Sequence, residues 1–369
     1  MAAHLDAHGV EVAHGRGRFL GPHEVEIETP RGQKRCVHGE VIVIAAGSKP
    51  RRPPQVPIDH EHILDSDSIL SLTYLPESLL VLGGGVIASE YASIFAALGV
   101  RVTLIDRAPR PLSFLDAELT DRFVARFCAL GGVYLGNDGV EEVQWNGFDA
   151  VKVRTQSGCE LSAEKLFCAL GREAAVDRLN LGAVGLAPNE RGHLAVNDHC
   201  QTSVPHIYAV GDVIGPPSLA SSSAAQGRRA VLHALGTPDS APSHLIPVGI
   251  YSIPEMAAVG LTEEEARKRH GEVRIGRAEF RELSRAQISG ETDGLLKLVV
   301  APDGKTLLGV HIVGEGSTEL VHVGQMALLT NSSIDIFVEN IFNFPTLAEG
   351  YRVAALEVAE ASASERRAA

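Results

Sequence analysis

The segment Leu79-Leu80-Val81-Leu82-Gly83-Gly84-Gly85-Val86-Ile87-Ala88, continued by Ser89-Glu90-Tyr91-Ala92-Ser93-Ile94-Phe95-Ala96-Ala97-Leu98-Gly99, decides the reading of this chain. Four apolar residues make a buried-type strand, three glycines make a turn, and the rest follows helical periodicity. A second apolar run, residues 100–105, ends at Asp106, 23 positions past Gly83. This is GxGxxA in its full context of strand, turn, helix, strand and acid. Gly83 suits the tight turn, Gly85 admits a pyrophosphate to the backbone, and Ala88 lets helix and strand approach closely. The helix start adds free amides and a positive dipole end. Asp106 is placed to accept hydrogen bonds from ribose hydroxyls, which favours NAD; Arg107 and Arg110 follow at once and are placed to reach the 2′-phosphate of NADP, so both nucleotides remain open.

Composition narrows the rest. The chain has 369 residues, 45% hydrophobic and 21% charged, which is the profile of a folded globular protein of two or three domains. A net charge of −13 without a basic run argues against nucleic acid as a partner. No stretch of eighteen residues is both apolar and free of charge, and the first fourteen residues hold no apolar signal core. The five cysteines, Cys36, Cys128, Cys159, Cys168 and Cys200, show neither CxxC nor CxxxxC spacing and read as reduced thiols of a cytosolic protein. His60, Glu61 and His62 lie among acids in a segment that reads as a solvated loop, with no metal expected.

Strand-like and helical segments alternate, so the fold class is α/β with an α+β C-terminal part. Short strands are expected at 10–12, 24–28, 41–46 and 207–210, and a Pro-rich crossover at 50–57. A helix is expected from about Ser221, and the tail 361–369 is expected to fray.

Three further segments, taken with the glycine turn, carry a resemblance. Val41-Ile42-Val43-Ile44-Ala45-Ala46-Gly47-Ser48-Lys49-Pro50 is similar to the strand-and-ATG segment of two-dinucleotide flavoproteins. Thr202-Ser203-Val204-Pro205-His206-Ile207-Tyr208-Ala209-Val210-Gly211-Asp212 resembles their second flavin motif, and Leu170-Gly171-Arg172 the end of their NAD domain. Within that superfamily, residues 65–70, 90–95, 211–221, 286–288 and 343–355 resemble the soluble, flavin-dependent pyridine nucleotide transhydrogenases over nearly the whole chain.

The resemblance implies FAD, NAD and NADP as cofactors, hydride transfer from NADPH to NAD in ping-pong fashion, a homodimer or higher homo-oligomer, and a cytoplasmic location. It implies a remnant of an FAD domain at 1–70, an NAD(P) domain at 71–195, a second FAD segment at 196–244 and a dimerisation domain at 245–369. Gly47, Gly211, Asp212, Ser218, Leu219 and Ala220 would face the flavin. Gly83, Gly85, Ala88, Asp106, Arg107 and Gly171 would face the nicotinamide nucleotide, and Glu90 its nicotinamide end. No catalytic side chain is implied.

Two departures qualify the likeness. Phe344 stands where the disulfide-reducing siblings carry the His of a His-Pro-Thr motif, and a phenyl ring cannot exchange protons. The sequence also begins beyond the family's first strand–GxGxxG–helix, so the fold is expected to be N-terminally truncated and to hold FAD weakly or not at all. A flavin-dependent disulfide or metal-ion reductase and a non-catalytic NAD-binding fragment stand as the alternatives.

Overall fold

In the computed structural model the backbone is described for residues 2–238 and 245–368. It forms two compact units, Met1–Arg51 with Arg172–Pro242 and Arg52–Gly171 with Ser243–Ala369.

The first unit opens on a three-stranded antiparallel meander, Arg16–Gly21, Glu24–Glu28 and Lys34–His38. The strand Ile42–Ile44 pairs in parallel with Ile207–Ala209, and Ser48–Pro50 pairs antiparallel with Arg172–Ala174. Phe19, Ile44, Ala174, Leu181, Leu194 and Ile207 contribute to its buried core. No strand forms at 10–12, where Val10 and Val12 lie exposed with no apolar layer to pack on. The strand at 41–46 is confined to Ile42–Ile44, and only Ile44 is buried; Val43 is 37% exposed. The partner strand Ile207–Ala209 is buried throughout, with Tyr208 packed among Cys200, Val210 and Ala230, so Val43 is the exposed residue of the pair.

The second unit contains a five-stranded parallel sheet in the order Ile63–Leu64, Lys165–Cys168, Ser78–Leu82, Arg101–Ile105, Val133–Leu135. The sheet thus begins ahead of residue 71, and residues 172–195 fold with the first unit. The strand Ser78–Leu82 sits centrally because Leu79 to Leu82 are apolar throughout and both faces are buried. The helix Val86–Ala97 turns Ala88, Ala92, Phe95 and Ala96 into the core beside Leu79, Leu104, Phe127 and Phe167. Burying each of those large side chains contributes about 1.5–3 kcal/mol. A three-stranded meander, Val140–Trp145, Val151–Thr155 and Glu160–Ala163, returns the chain from the edge strand to the sheet centre.

The C-terminal part of this unit is a five-stranded antiparallel sheet, ordered Val248–Ile250, Met256–Gly260, Leu307–Val313, Leu295–Val300, Arg274–Glu279. The helices Ser317–Leu329 and Glu349–Ala368 pack on it around fully buried Tyr351. The Tyr351 hydroxyl donates to the Leu320 carbonyl at 2.7 Å and accepts from the Gly324 amide at 3.1 Å. The last helix runs through the segment expected to fray, in keeping with its Ala, Glu and Arg content. No helix among the described residues is long and apolar enough to cross a membrane.

Candidate functional site

The parallel sheet places Leu82, Ile105, Leu135 and Cys168 at one carboxyl-terminal edge. Strand order reverses beside Ser78–Leu82, whose two neighbours come from far apart in sequence. In open α/β sheets, crevices for ligands form at such a switch point. The Gly83–Gly85 turn occupies it.

Each glycine there meets a physical demand. Gly83 has φ 107°, and a Cβ at this position would lie 2.6 Å from the Ala169 carbonyl oxygen. Gly84 lies directly under the Asp106 carboxylate, so any side chain would collide with it. At Gly85 a Cβ would meet nothing within 4 Å; the turn is open on that side, a concavity at the start of the helix. Gly85 is the N-cap and supplies no side chain, which leaves the first-turn amides for an anion. Ala88 is fully buried. The geometry fits a pyrophosphate.

Asp106 is half-buried at the end of its strand, its amide donating to the Leu135 carbonyl at 3.0 Å. Arg107 is exposed and makes no ion pair among the described residues. Arg110 is directed elsewhere. It lines a cleft of about 370 Å³ together with Phe114, Asp116, Thr262, Glu264 and Lys297. There Lys268, and in addition Arg110, hold the Glu264 carboxyl below its ordinary range.

Glu90, on the same helix, accepts the Tyr251 amide at 2.8 Å through Oε1, and Ser93 accepts the Ile253 amide at 3.0 Å. Both side chains therefore fasten the 251–253 segment. Gly171, with φ 101°, closes the turn after Leu170 and ends the unit's first stretch.

Two features of this site carry no sequence motif. The Leu112 amide donates to the Gly84 carbonyl at 2.7 Å, and the Tyr134 hydroxyl donates to the Ala108 carbonyl at 2.9 Å. Behind them lies an ion cluster. Lys297, 2% exposed, reaches Asp116 at 2.8 Å, Glu118 at 3.1 Å and Glu263 at 2.7 Å. Burial alone would raise the Asp116 carboxyl, but His311, Lys297 and the Glu263 amide together hold it below the usual range. Asp116 also caps the helix Ala117–Ala129. An Asp before a helical pattern signals such a cap; nothing in sequence signals its buried lysine.

In the first unit the candidate residues gather at the ends of the parallel pair. Gly47 follows one strand, and Gly211 and Asp212 follow the other in the short helical turn Gly211–Ile214. Asp212 accepts the Ser48 hydroxyl at 2.6 Å, and Arg172 donates to Ser48 Oγ at 2.7 Å. Gly211 donates to Gln226 Oε1 at 2.7 Å. Ser218 has φ 50°, Leu219 is the N-cap and Ala220 the first residue of the helix Ala220–Ala234. The strand Ile207–Ala209 thus leads through Gly211 and Gly215, both at positive φ, into the helix Ala220–Ala234.

Residues 1–227 match the family described as pyridine nucleotide-disulphide oxidoreductase, and residues 246–355 match its dimerisation domain. The chain belongs to this family. A soluble pyridine nucleotide transhydrogenase of Mycobacterium tuberculosis is 43% identical over 350 residues, 95% of this chain and 75% of that protein. One of Colwellia psychrerythraea is 44% identical over 351 residues, covering 94% and 75%. Among solved structures, LpdA from Mycobacterium tuberculosis superposes with a TM-score of 0.90 at 26% identity, covering 97% of this chain and 79% of that one. The flavoprotein disulfide reductase RclA of Escherichia coli gives 0.87 at 27%, covering 94% and 79%. The family's two-domain α/β fold with a dimerisation domain is thus the fold of this chain, and its members are oxidoreductases.

Proposed function

We propose that this chain exchanges hydride between NADPH and NAD with FAD as carrier. The observation that carries the reading is the glycine turn with the Asp106 carboxylate over Gly84, followed in sequence by Arg107, which makes no ion pair among the described residues. Open amides at Gly85 and the first helical turn receive the pyrophosphate. Asp106 orients a ribose bearing free hydroxyls, and Arg107 meets a ribose bearing a phosphate. One turn so furnished serves both nucleotides in alternation.

Bound FAD supplies a two-electron acceptor and donor, which no side chain here provides. Gly47, Asp212 and the 218–220 segment would hold its flavin half. Phe344, 72% exposed, favours transhydrogenation over disulfide reduction, since it offers no proton. The dimerisation-domain match, with exposed Val323, Met326, Leu329 and Ile341 on that part of the chain, supports a homodimer. We place the enzyme in the cytoplasm, with its nucleotide pools.

The test is to measure flavin released on denaturation, then titrate FAD while following NADPH-dependent reduction of thionicotinamide-NAD. Turnover should rise with FAD to a plateau and need no disulfide. NADH binding without hydride transfer at any FAD level would make the chain a nucleotide-binding module instead. Turnover only with a disulfide substrate would make it a reductase.

A further inference from the structure

The loop from Asp106 to Arg110 carries both groups assigned above to the ribose, and one side chain from the neighbouring strand fastens its middle. Tyr134 lies on the edge strand Val133–Leu135. Its hydroxyl donates to the carbonyl of Ala108, which also accepts the Asn137 amide at 3.1 Å. The loop is tied on either side as well: the Asp106 amide donates to Leu135, and the Asp106 carbonyl accepts from Asp138 at 3.1 Å.

The tyrosine ring is itself immobilised. It packs beside the core of the parallel sheet, and a Cβ on Gly136 would lie 2.8 Å from Tyr134 Cε1 and 2.9 Å from the Ala108 and Pro109 carbonyls. Ring, loop and strand therefore touch with no room between them. Burial, and then the neighbouring Asp106 carboxylate, push the Tyr134 phenol above its ordinary range, so the hydroxyl stays a donor at every physiological pH.

We infer that Tyr134 is a positioning residue for nucleotide discrimination: by fixing Ala108 it holds the Asp106 carboxylate at the one place where it receives two ribose hydroxyls. This rests on the dinucleotide reading of the glycine turn. The two loop groups respond differently to loosening. A carboxylate that accepts from two adjacent hydroxyls needs a fixed position, whereas the long Arg107 side chain follows a phosphate as the loop shifts. Slack in the loop therefore weakens recognition of the unphosphorylated ribose more than that of the phosphorylated one.

The experiment compares Tyr134→Phe with the unaltered chain, titrating NADH and NADPH separately by nicotinamide fluorescence and recording the thermal midpoint. Loss of one neutral hydrogen bond to the loop should raise the NADH dissociation constant by about five-fold and that of NADPH by less than about two-fold. Arg107→Ala should show the opposite asymmetry. Equal changes for the two nucleotides in Tyr134→Phe, or none, would overturn the inference. A variant with a midpoint too low to titrate is assayed at low temperature beside a control that leaves the loop untouched, Tyr74→Phe at an exposed position. If that control reproduces the asymmetry, the inference also falls. Binding of neither nucleotide by the unaltered chain would instead remove the dinucleotide site and this inference with it.

Discussion

Leu112 donates its amide hydrogen to the carbonyl of Gly84 from a left-handed backbone, φ 52°, while its side chain is 1% exposed. A leucine in that conformation costs about 1–2 kcal/mol. It is tolerated because the side chain packs among Leu115, Leu119, Phe123 and Met256, where the parallel-sheet part meets the antiparallel sheet. The hydrogen bond thereby links that apolar cluster to the glycine turn.

The strain makes an unusual ordering of variants. Leu112→Ala keeps the unfavourable φ and opens a cavity, so it should cost about 2–5 kcal/mol in urea unfolding. Leu112→Gly opens the same cavity but relieves the strain, worth slightly more than the roughly 0.5–1 kcal/mol that glycine loses in chain entropy. The glycine variant should therefore be the more stable of the two. The reverse order would show that the backbone at Leu112 is not strained.

Arg107 and Arg110, neighbours in sequence, have separate surroundings. Arg107 lies against Gly139 without an ion pair among the described residues, while Arg110 lies in the cleft with Glu264. Arg107→Ala should weaken NADPH by about ten-fold or more, the scale of one charge-assisted hydrogen bond, and leave NADH within two-fold. Arg110→Ala should leave the ratio of the two affinities unchanged. Isothermal titration of both variants with both nucleotides decides it; a shifted ratio in Arg110→Ala would return that residue to the ribose site.

The different fates of these two arginines illustrate what the sequence could disclose. The strand, the turn, the helix and Asp106 were legible because local chemistry dictates them: an apolar run, glycines where sterics demand them, an acid at a strand end. The same held for the parallel strand at Ile207 and the helix from Ala220, which starts one residue before the expected Ser221. Nothing local distinguishes Arg110 from Arg107, because the difference is made by Glu264, more than a hundred residues away. Tyr134, Leu112 and Lys297 were silent for the same reason. Val10 and Val12 have β-propensity but form no strand, since a strand forms only where a neighbour can pair.

Lys297 is surrounded by Asp116, Glu118 and Glu263, and Glu118 is shared with Arg277 at 3.0 Å. Burial would lower the lysine, but its hydrogen bonds to Asp116 and Glu263 outweigh it and hold the ammonium charged. Lys297→Met leaves those carboxylates without their buried partner and should cost about 3–5 kcal/mol. Adding Asp116→Asn and Glu263→Gln removes the orphaned charge and should recover part of that loss. Urea midpoints for the single and triple variants test the coupling; simple additivity of the three losses would refute it.

His311 lies 1% exposed on the central strand of the antiparallel sheet, with Nε2 hydrogen-bonded to the Leu261 carbonyl at 2.8 Å and Nδ1 without a partner. Burial lowers its affinity for a proton below the ordinary value of 6.5, against the pull of Asp116 and with the push of Lys297. In the unfolded chain it titrates normally, so below about pH 6.5 the unfolded state binds a proton that the folded state refuses. Its contribution to stability is complete above that pH and falls away as the solution is acidified. Asp116, Glu118 and Glu263, all held below their ordinary values in the fold, add a second loss that begins only near pH 4. Thermal midpoints recorded from pH 8 down to about pH 2 should decline in two stages, and His311→Gln should remove the first while leaving the second. A variant profile parallel to that of the unaltered chain between pH 6.5 and pH 5 would mean that His311 accepts its proton within the fold.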